Sequence, residues 1–467
     1  MKTTLKTNLT KAAVALLIAG TPALVKAQQV TVGERLQNMR AYDKGGLNVF
    51  EAPKEETSFD GMKFNIGAGF TQGYQSLKHE TDRTGTYTYT PTGGVARQEP
   101  YAPLYHMSPG FNNASANLMF DALLADGIRL NLTTYLSSRH HNETWVKAGY
   151  IQFDKLPFKG QLWDDLMKFT TIKVGHMEIN YGDAHFRRSD GGHTNYNPFA
   201  ENYIMDAFTT EIGAEIYLHG KNGLFGMVGA TGGTIRGTVD STNAQTSLAP
   251  AGISKMPSLL GKVGIDKQID QDLRLRFAAS VYHNNAVAAA GNTLYGGDRT
   301  GSNYFMVMEA AYTGVQPTPT ASTYANNAFS GRFNPGFSRK ITAAQFNAFI
   351  KYTGLEVFGT YEVAKGRSLT ETSKRDASQY AIDAVYRFGK DENLFVGARY
   401  NAVKSELATQ TPEVKIDRTA FAAGWFITKN ILLKGEYVTQ KYKDFAPNDI
   451  RYGGKFDGFV IQAAVGF

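Results

Sequence analysis

Arg187 and Arg188 stand close to Asp183, His185, Asp190 and His193, in a polar stretch bracketed by Gly182 and Gly191-Gly192. Two guanidiniums among carboxylates and imidazoles could attract an anion, hold a metal, or set a field across a narrow aqueous passage. A long, Gly-punctuated segment such as 182–206 is either functional or an ordinary exposed loop. On the functional reading it folds into a lumen as a constriction made of Arg187, Arg188, Asp190 and His193. The metal reading is weaker. His140 and His141 are adjacent, so on a strand they point to opposite faces. His185 and His193 lie eight residues apart with no recognised ligand spacing, and no metal or cofactor is expected. Ser137 and Ser138 beside His140 lack a positioned base and orienter, so no catalytic residues and no enzyme are expected.

Composition narrows the setting. The 467 residues include 25 Tyr, 29 Phe, 48 Gly and no Cys. There is apolar surface to bury, but past the N-terminus no run approaches the roughly 20 apolar residues of a spanning helix. Without Cys there is no disulfide framework, cysteine catalysis or lipid-modified cysteine. The N-terminus reads as a signal peptide over 1–27: Lys2, Lys6 and Lys11, the apolar stretch AAVALLIAG at 12–20, then small residues up to cleavage after Ala27. Removing its four lysines and no acid takes the net charge from +7 to +3, so the basic balance implies no nucleic-acid partner. Residues 28–60 read as a lead-in or small plug, and 61–467 as the main body.

From Gly61 onward the apolar residues alternate, the signature of strands with two different faces. In 379–388, Tyr380, Ile382, Ala384, Tyr386 and Phe388 oppose Gln379, Ala381, Asp383, Val385 and Arg387. The stretches 273–282, 393–403 and 431–440 behave alike. Each is about ten residues, enough to cross a bilayer at a tilt. Tight turns such as Asp126-Gly127 and Thr353-Gly354 join them in pairs, and longer polar segments separate the pairs. Seventeen strands can be read. Because closure requires an even number, the reading is 16 or 18, with the conflict of direction lying between 303–313 and 344–352.

A soluble sandwich also alternates. The terminal segment GFVIQAAVGF ends on Phe467, with Phe459, Ile461, Ala463 and Val465 on the same face. This resembles the C-terminal assembly signal of outer-membrane proteins. Tyr361, Tyr386, Phe388, Tyr400, Tyr437 and Tyr442 stand near strand ends, where an interfacial girdle would put them. The expected fold is therefore all-β: a transmembrane antiparallel β-barrel of 16–18 strands, with short periplasmic turns and long extracellular loops. Its expected pore lining is Arg129, Arg274, Arg276, Arg387, Arg399, Lys434, Glu436 and Glu362. With Lys351, Glu215, Glu309, Glu356 and Asp383 added, the two signs nearly balance.

The segment TIKVGHMEINYG at 171–182, followed by DAHFRRSDGG and by NPFAENY at 197–203, resembles the strand and inward-folded loop of the phosphate-selective porin O/P-like group, in its Bacteroidetes form. The resemblance implies a porin of the cell outer membrane. It would be exported through a cleaved signal peptide, inserted by the barrel assembly machinery, surrounded by outer-membrane lipid and assembled as a homotrimer. The function expected is passive diffusion of small hydrophilic solutes or ions, with at most a weak preference for anions. The alternative is a closed structural or interaction barrel serving a secretion, gliding or adhesion complex.

Overall fold

The computed structural model describes residues 30–32, 36–37, 39–54, 58–89, 93–101, 103–112, 114–137, 141–233, 256–285, 291–297, 300–313, 320–321 and 330–467. The leader at 1–27, Ser138, His140 and most of 237–256 lie outside them. Sixteen strands form one closed antiparallel barrel. They are β1 (Met62–Glu80), β2 (Ser115–Ala125), β3 (Ile128–Ser137), β4 (His141–Phe153), β5 (Thr170–Glu178), β6 (Thr210–His219), β7 (Leu224–Thr231) and β8 (Ser258–Gln268), then β9 (Leu273–Asn284), β10 (Lys340–Tyr352), β11 (Leu355–Arg367), β12 (Arg375–Phe388), β13 (Leu394–Leu407), β14 (Gln410–Thr428), β15 (Ile431–Lys443) and β16 (Lys455–Gly466). Each pairs with its neighbours in sequence. β1 closes on β16, with Gly69 opposite Gly466 and Glu80 opposite Lys455. Phe467 continues the seam, its N–H donating to the Ala68 carbonyl at 3.1 Å and its carbonyl accepting from Ala68 at 2.9 Å. A closed ladder leaves no edge, which hydrocarbon could not satisfy.

The alternation sorts the two faces. On β12, Tyr380, Ile382, Tyr386 and Phe388 are exposed on the outer surface, while Gln379, Asp383 and Arg387 are buried inside. Phe346, Ile350, Phe421, Trp425, Phe459 and Ile461 extend the outer apolar belt. Tyr442 departs from the girdle expectation: it is buried inside, its hydroxyl accepting from Gln440 at 2.7 Å.

The strand number is the lower of the two expected values. Residues 303–313 form no wall strand. Met306 and Met308 have left-handed backbones (φ 61° and 57°), which break an extended run, and Tyr304, Val307 and Met308 are buried within the lumen. Their apolar character comes from packing inside, not from facing lipid. The polar segments 366–375 and 405–416, which a sequence reading takes for long loops between strand pairs, make only short connections, because β11 to β14 run on well beyond a membrane's span. On the short-turn end, the β4–β5 connection carries helix α1 (Gln161–Met167). Phe158, Leu162, Trp163, Leu166 and Phe169 lie exposed on and around it.

Three stretches fill much of the lumen. The first, 39–54, enters from the short-turn end: Tyr42 Oη donates to Asp121 at 2.9 Å, Asn48 Nδ2 to Glu356 at 2.6 Å, and Glu51 pairs with Lys262 at 2.8 Å. The second, 179–209, is buried almost throughout. The third comprises described parts of 291–339, where Tyr295 and Tyr304 donate to Glu362 and Glu436. The wall makes room at glycines. A Cβ on Gly466 would sit 2.2 Å from the Tyr42 carbonyl, and one on Gly69 would sit 2.7 Å from His193 Cβ.

Candidate pore path and its charged constriction

The residues expected to line a pore all face inward, but none of the eight lines the two larger cavities. They hold the inserted segments instead. Arg129 pairs with Asp154 and donates to the Gln37 carbonyl. Arg276 grips Asp183 (2.7 Å) and Glu51 (2.7 Å), while Arg274 pairs with Asp266 (2.7 Å). Arg387 pairs with Glu356 at 2.8 Å and Arg399 with Asp383 at 2.7 Å. Arg399 also donates to the Glu201 carbonyl. Lys434 Nζ donates to three loop carbonyls, of Thr194, Asn197 and Phe199, at 2.7–2.9 Å. Glu436 accepts from the Ala200 N–H and from Tyr304. Glu362 accepts from Tyr181 and Tyr295. A buried charge must be paired and hydrogen-bonded, and here the 179–209 backbone supplies much of the pairing.

The four constriction candidates separate. Arg187 turns to the β10–β11 wall, stacked between Phe349 and Phe358 (5.2 Å each) and near Glu356 (3.4 Å); it borders only a gap of about 20 Å³. Arg188, Asp190 and His193 border a cavity of about 260 Å³. Burial holds the His193 imidazole down at about 4, although the Tyr42 carbonyl 2.7 Å from Nε2 pulls the other way; at neutral pH the ring is uncharged and Nε2 carries its proton. His185 lies apart from it, between Glu178 (2.9 Å) and Asn180 (3.0 Å).

A second cavity of about 480 Å³ lies toward the long-loop end, bordered by Tyr135, Thr209, Tyr295, Gly297, Arg332 and Phe333 among others. Lys147, Phe208 and Thr210 border both cavities. Both cavities thus lie along the β2–β6 wall, with these three side chains between them. A chain of alternating charges runs beside these three side chains, from Lys147 into the packed lumen. Lys147 pairs with Asp190, Asp190 with Arg188 (3.0 Å), Arg188 with Asp206 (2.5 Å), Asp206 with Arg332 (3.5 Å) and Arg332 with Glu201 (3.1 Å). Phe208 is clamped between two of the cations, Arg188 at 3.8 Å and Lys147 at 5.3 Å from its ring.

Sequence reasoning missed Lys147, Lys173, Arg40 and Phe208. Lys147 is aimed inward by a β-bulge. Thr133 pairs with Ala148 and Thr134 with Val146, which leaves Lys147 without an opposite number. A bulge shifts the phase of alternation, so parity counted along β4 misplaces it. Lys173 kept its parity: Ile172 and Val174 flank it on the outer face, a usable signal.

No family model matches the chain, and no curated protein matches it by sequence. Solved structures do resemble it. An anion-selective porin from Comamonas acidovorans superposes with a TM-score of 0.50 at 10% identity, over 87% of this chain and 100% of that one. OmpT, an outer-membrane protein of Vibrio cholerae, gives 0.47 at 11% identity, over 88% and 100%. The outer-membrane channel DcaP of Acinetobacter baumannii gives 0.46 at 12%, over 89% and 100%. The first of these, together with the closed sixteen-stranded wall, makes the fold that of an outer-membrane β-barrel.

Proposed function

We propose that the chain is an outer-membrane porin through which small hydrophilic solutes and ions diffuse along one wall, with a weak preference for anions. The observation that carries this reading is the sharing of Lys147, Phe208 and Thr210 by the two cavities, which brings a hollow on the long-loop side up against one on the short-turn side. The preference follows from the lining. Arg40, Lys147, Lys173 and Arg188 border the lower cavity against Glu51, Glu178 and Asp190, and Lys147 and Arg332 border the upper. Selectivity in a wet pore comes from radius and lining charge. Segment 39–54 acts in this reading as a plug that narrows the periplasmic mouth. Membership of the phosphate-selective porin group, trimeric assembly, export through a leader cleaved after Ala27, insertion by the assembly machinery and the absence of catalysis belong to the same proposal and rest on sequence.

The packed side of the lumen favours a second reading, a closed barrel that serves as a structural or interaction element. Planar-bilayer recording of the purified protein separates the two. Discrete conductance steps, with a reversal potential on the anion side in a KCl gradient, are expected of the porin. A barrel that inserts and passes no current is the closed alternative.

A further inference from the structure

Most cations inside the barrel have a carboxylate within ion-pair distance. Lys173 is different. Its ammonium lies 4.7 Å from the centre of the Tyr217 ring and 5.2 Å from that of Tyr150, and among the described residues it has neither a hydrogen bond nor an ion pair. The acid opposite it on β6, Glu215, is already committed, accepting from the Asn180 N–H at 2.8 Å and from the Tyr217 hydroxyl at 2.5 Å. The Tyr150 hydroxyl makes no hydrogen bond to another described residue. Lys173, Tyr150 and Tyr217 all border the 260 Å³ cavity. Arg40 borders it too, lying 3.5 Å over the Tyr196 ring and donating, among the described residues, to the Gly46 and Phe186 carbonyls. The remaining lining mixes apolar groups, including Phe50, Phe186, Met119 and Met177, with three carboxylates that already have partners, Glu51 with Lys262, Glu178 with His185 and Asp190 with Arg188.

A partly desolvated ammonium with aromatic faces and no acid partner retains donor capacity for an incoming anion. The apolar share of the lining, and the commitment of its acids and of Lys147 and Arg188 to one another, disfavour a strongly hydrated inorganic anion, which would need many donors to replace its water. It suits a ligand with one charged end and a flat apolar body.

We propose that this cavity is a binding site for a small organic carboxylate with a flat apolar body, with the Lys173 ammonium as counter-charge, the Tyr150 hydroxyl as a second donor, and the Tyr150 and Tyr217 rings as walls. The proposal rests on the porin reading for how the ligand arrives, and it deepens that reading by naming a class of solute. Isothermal titration of the detergent-solubilised, full-length mature protein with benzoate, benzamide, acetate and inorganic phosphate tests it without requiring conduction. Benzoate should bind at least about tenfold more tightly than its neutral isostere benzamide or than acetate, the scale of one charge-assisted contact. Lys173→Gln should weaken benzoate about tenfold. Lys173→Arg, which keeps the charge, should restore most of the affinity and serves as the control for folding. Equal binding of benzoate and benzamide, unchanged affinity in Lys173→Gln, or phosphate binding as tightly as benzoate would each overturn the site. Lys173-dependent binding to a barrel that passes no current would uphold the site and overturn the path. Conduction without benzoate binding would do the reverse.

Discussion

The two sides of the lumen are built from the same residue types and do opposite things with them. Along β8 to β15, Arg276, Arg387, Arg399 and Lys434 lock acids and loop carbonyls into a packed mass. Along β2 to β6, Lys147, which pairs with Asp190, and Lys173 border open space, as does Arg40 from the inserted segment 39–54. Counting inward charges does not reveal a pore; what matters is whether each charge is already used. A charge with an acid and a carbonyl around it and no space beside it works as mortar, whereas Lys173, held by aromatic rings, and Lys147, paired on one side with Asp190, each face space that an ion could enter.

The largest test of that contrast removes one partner on the packed side. Arg399→Ala leaves Asp383 buried without its cation and should cost about 3–5 kcal/mol, read from the denaturant midpoint of the refolded barrel. Replacing both partners together, Arg399→Met with Asp383→Leu, should recover most of that loss. On the hollow side, Lys147→Glu should leave the barrel folded and shift the anion-to-cation permeability ratio toward cations on the order of tenfold, read from reversal potentials. Arg387→Gln, equally inward but on the packed side, should leave that ratio unchanged. If both variants shifted it equally, the division into two sides would fail. Removing residues 28–54 from the mature protein should raise single-channel conductance without changing the sign of selectivity.

The smallest expected effect concerns Glu309, within the strand-like stretch 303–313 that packs inside the lumen. Burial pushes its carboxyl up to about 7. The folded protein therefore holds this proton where the unfolded chain releases it. Its contribution to stability is complete below about pH 4.5 and is lost as pH rises through 7, at no more than about 1.4 kcal/mol per pH unit. Melting temperature should decline from pH 5 to 8, and Glu309→Gln should flatten that decline.

The wall was legible in the sequence because lipid and lumen impose opposite demands on alternate residues. The assignment of Tyr380 and Phe388 to one face and Asp383 and Arg387 to the other needs no more than parity. The contents of the lumen were not legible in the same way. Segment 303–313 imitates a strand because Tyr304, Val307 and Met308 are apolar for a different reason, their packing inside. Arg187 and Arg188 look equivalent as neighbours, yet one lies against the β10–β11 wall and the other borders the 260 Å³ cavity. Lys147 was hidden by a single extra residue in β4, which reverses the parity by which every strand was read.

Helix α1 adds a consequence outside the lumen. Leu162 and Trp163, with Phe158 packed on the indole (ring centres 6.0 Å apart), project greasy surface from the rim where the other connections are tight and polar. An amphipathic indole settles at the boundary between acyl chains and headgroups. In a bilayer, such a keel on one side of the rim would set the depth and lean at which the cylinder rides. The flank it steadies, β4 and β5, is the one that carries Lys147 and Lys173.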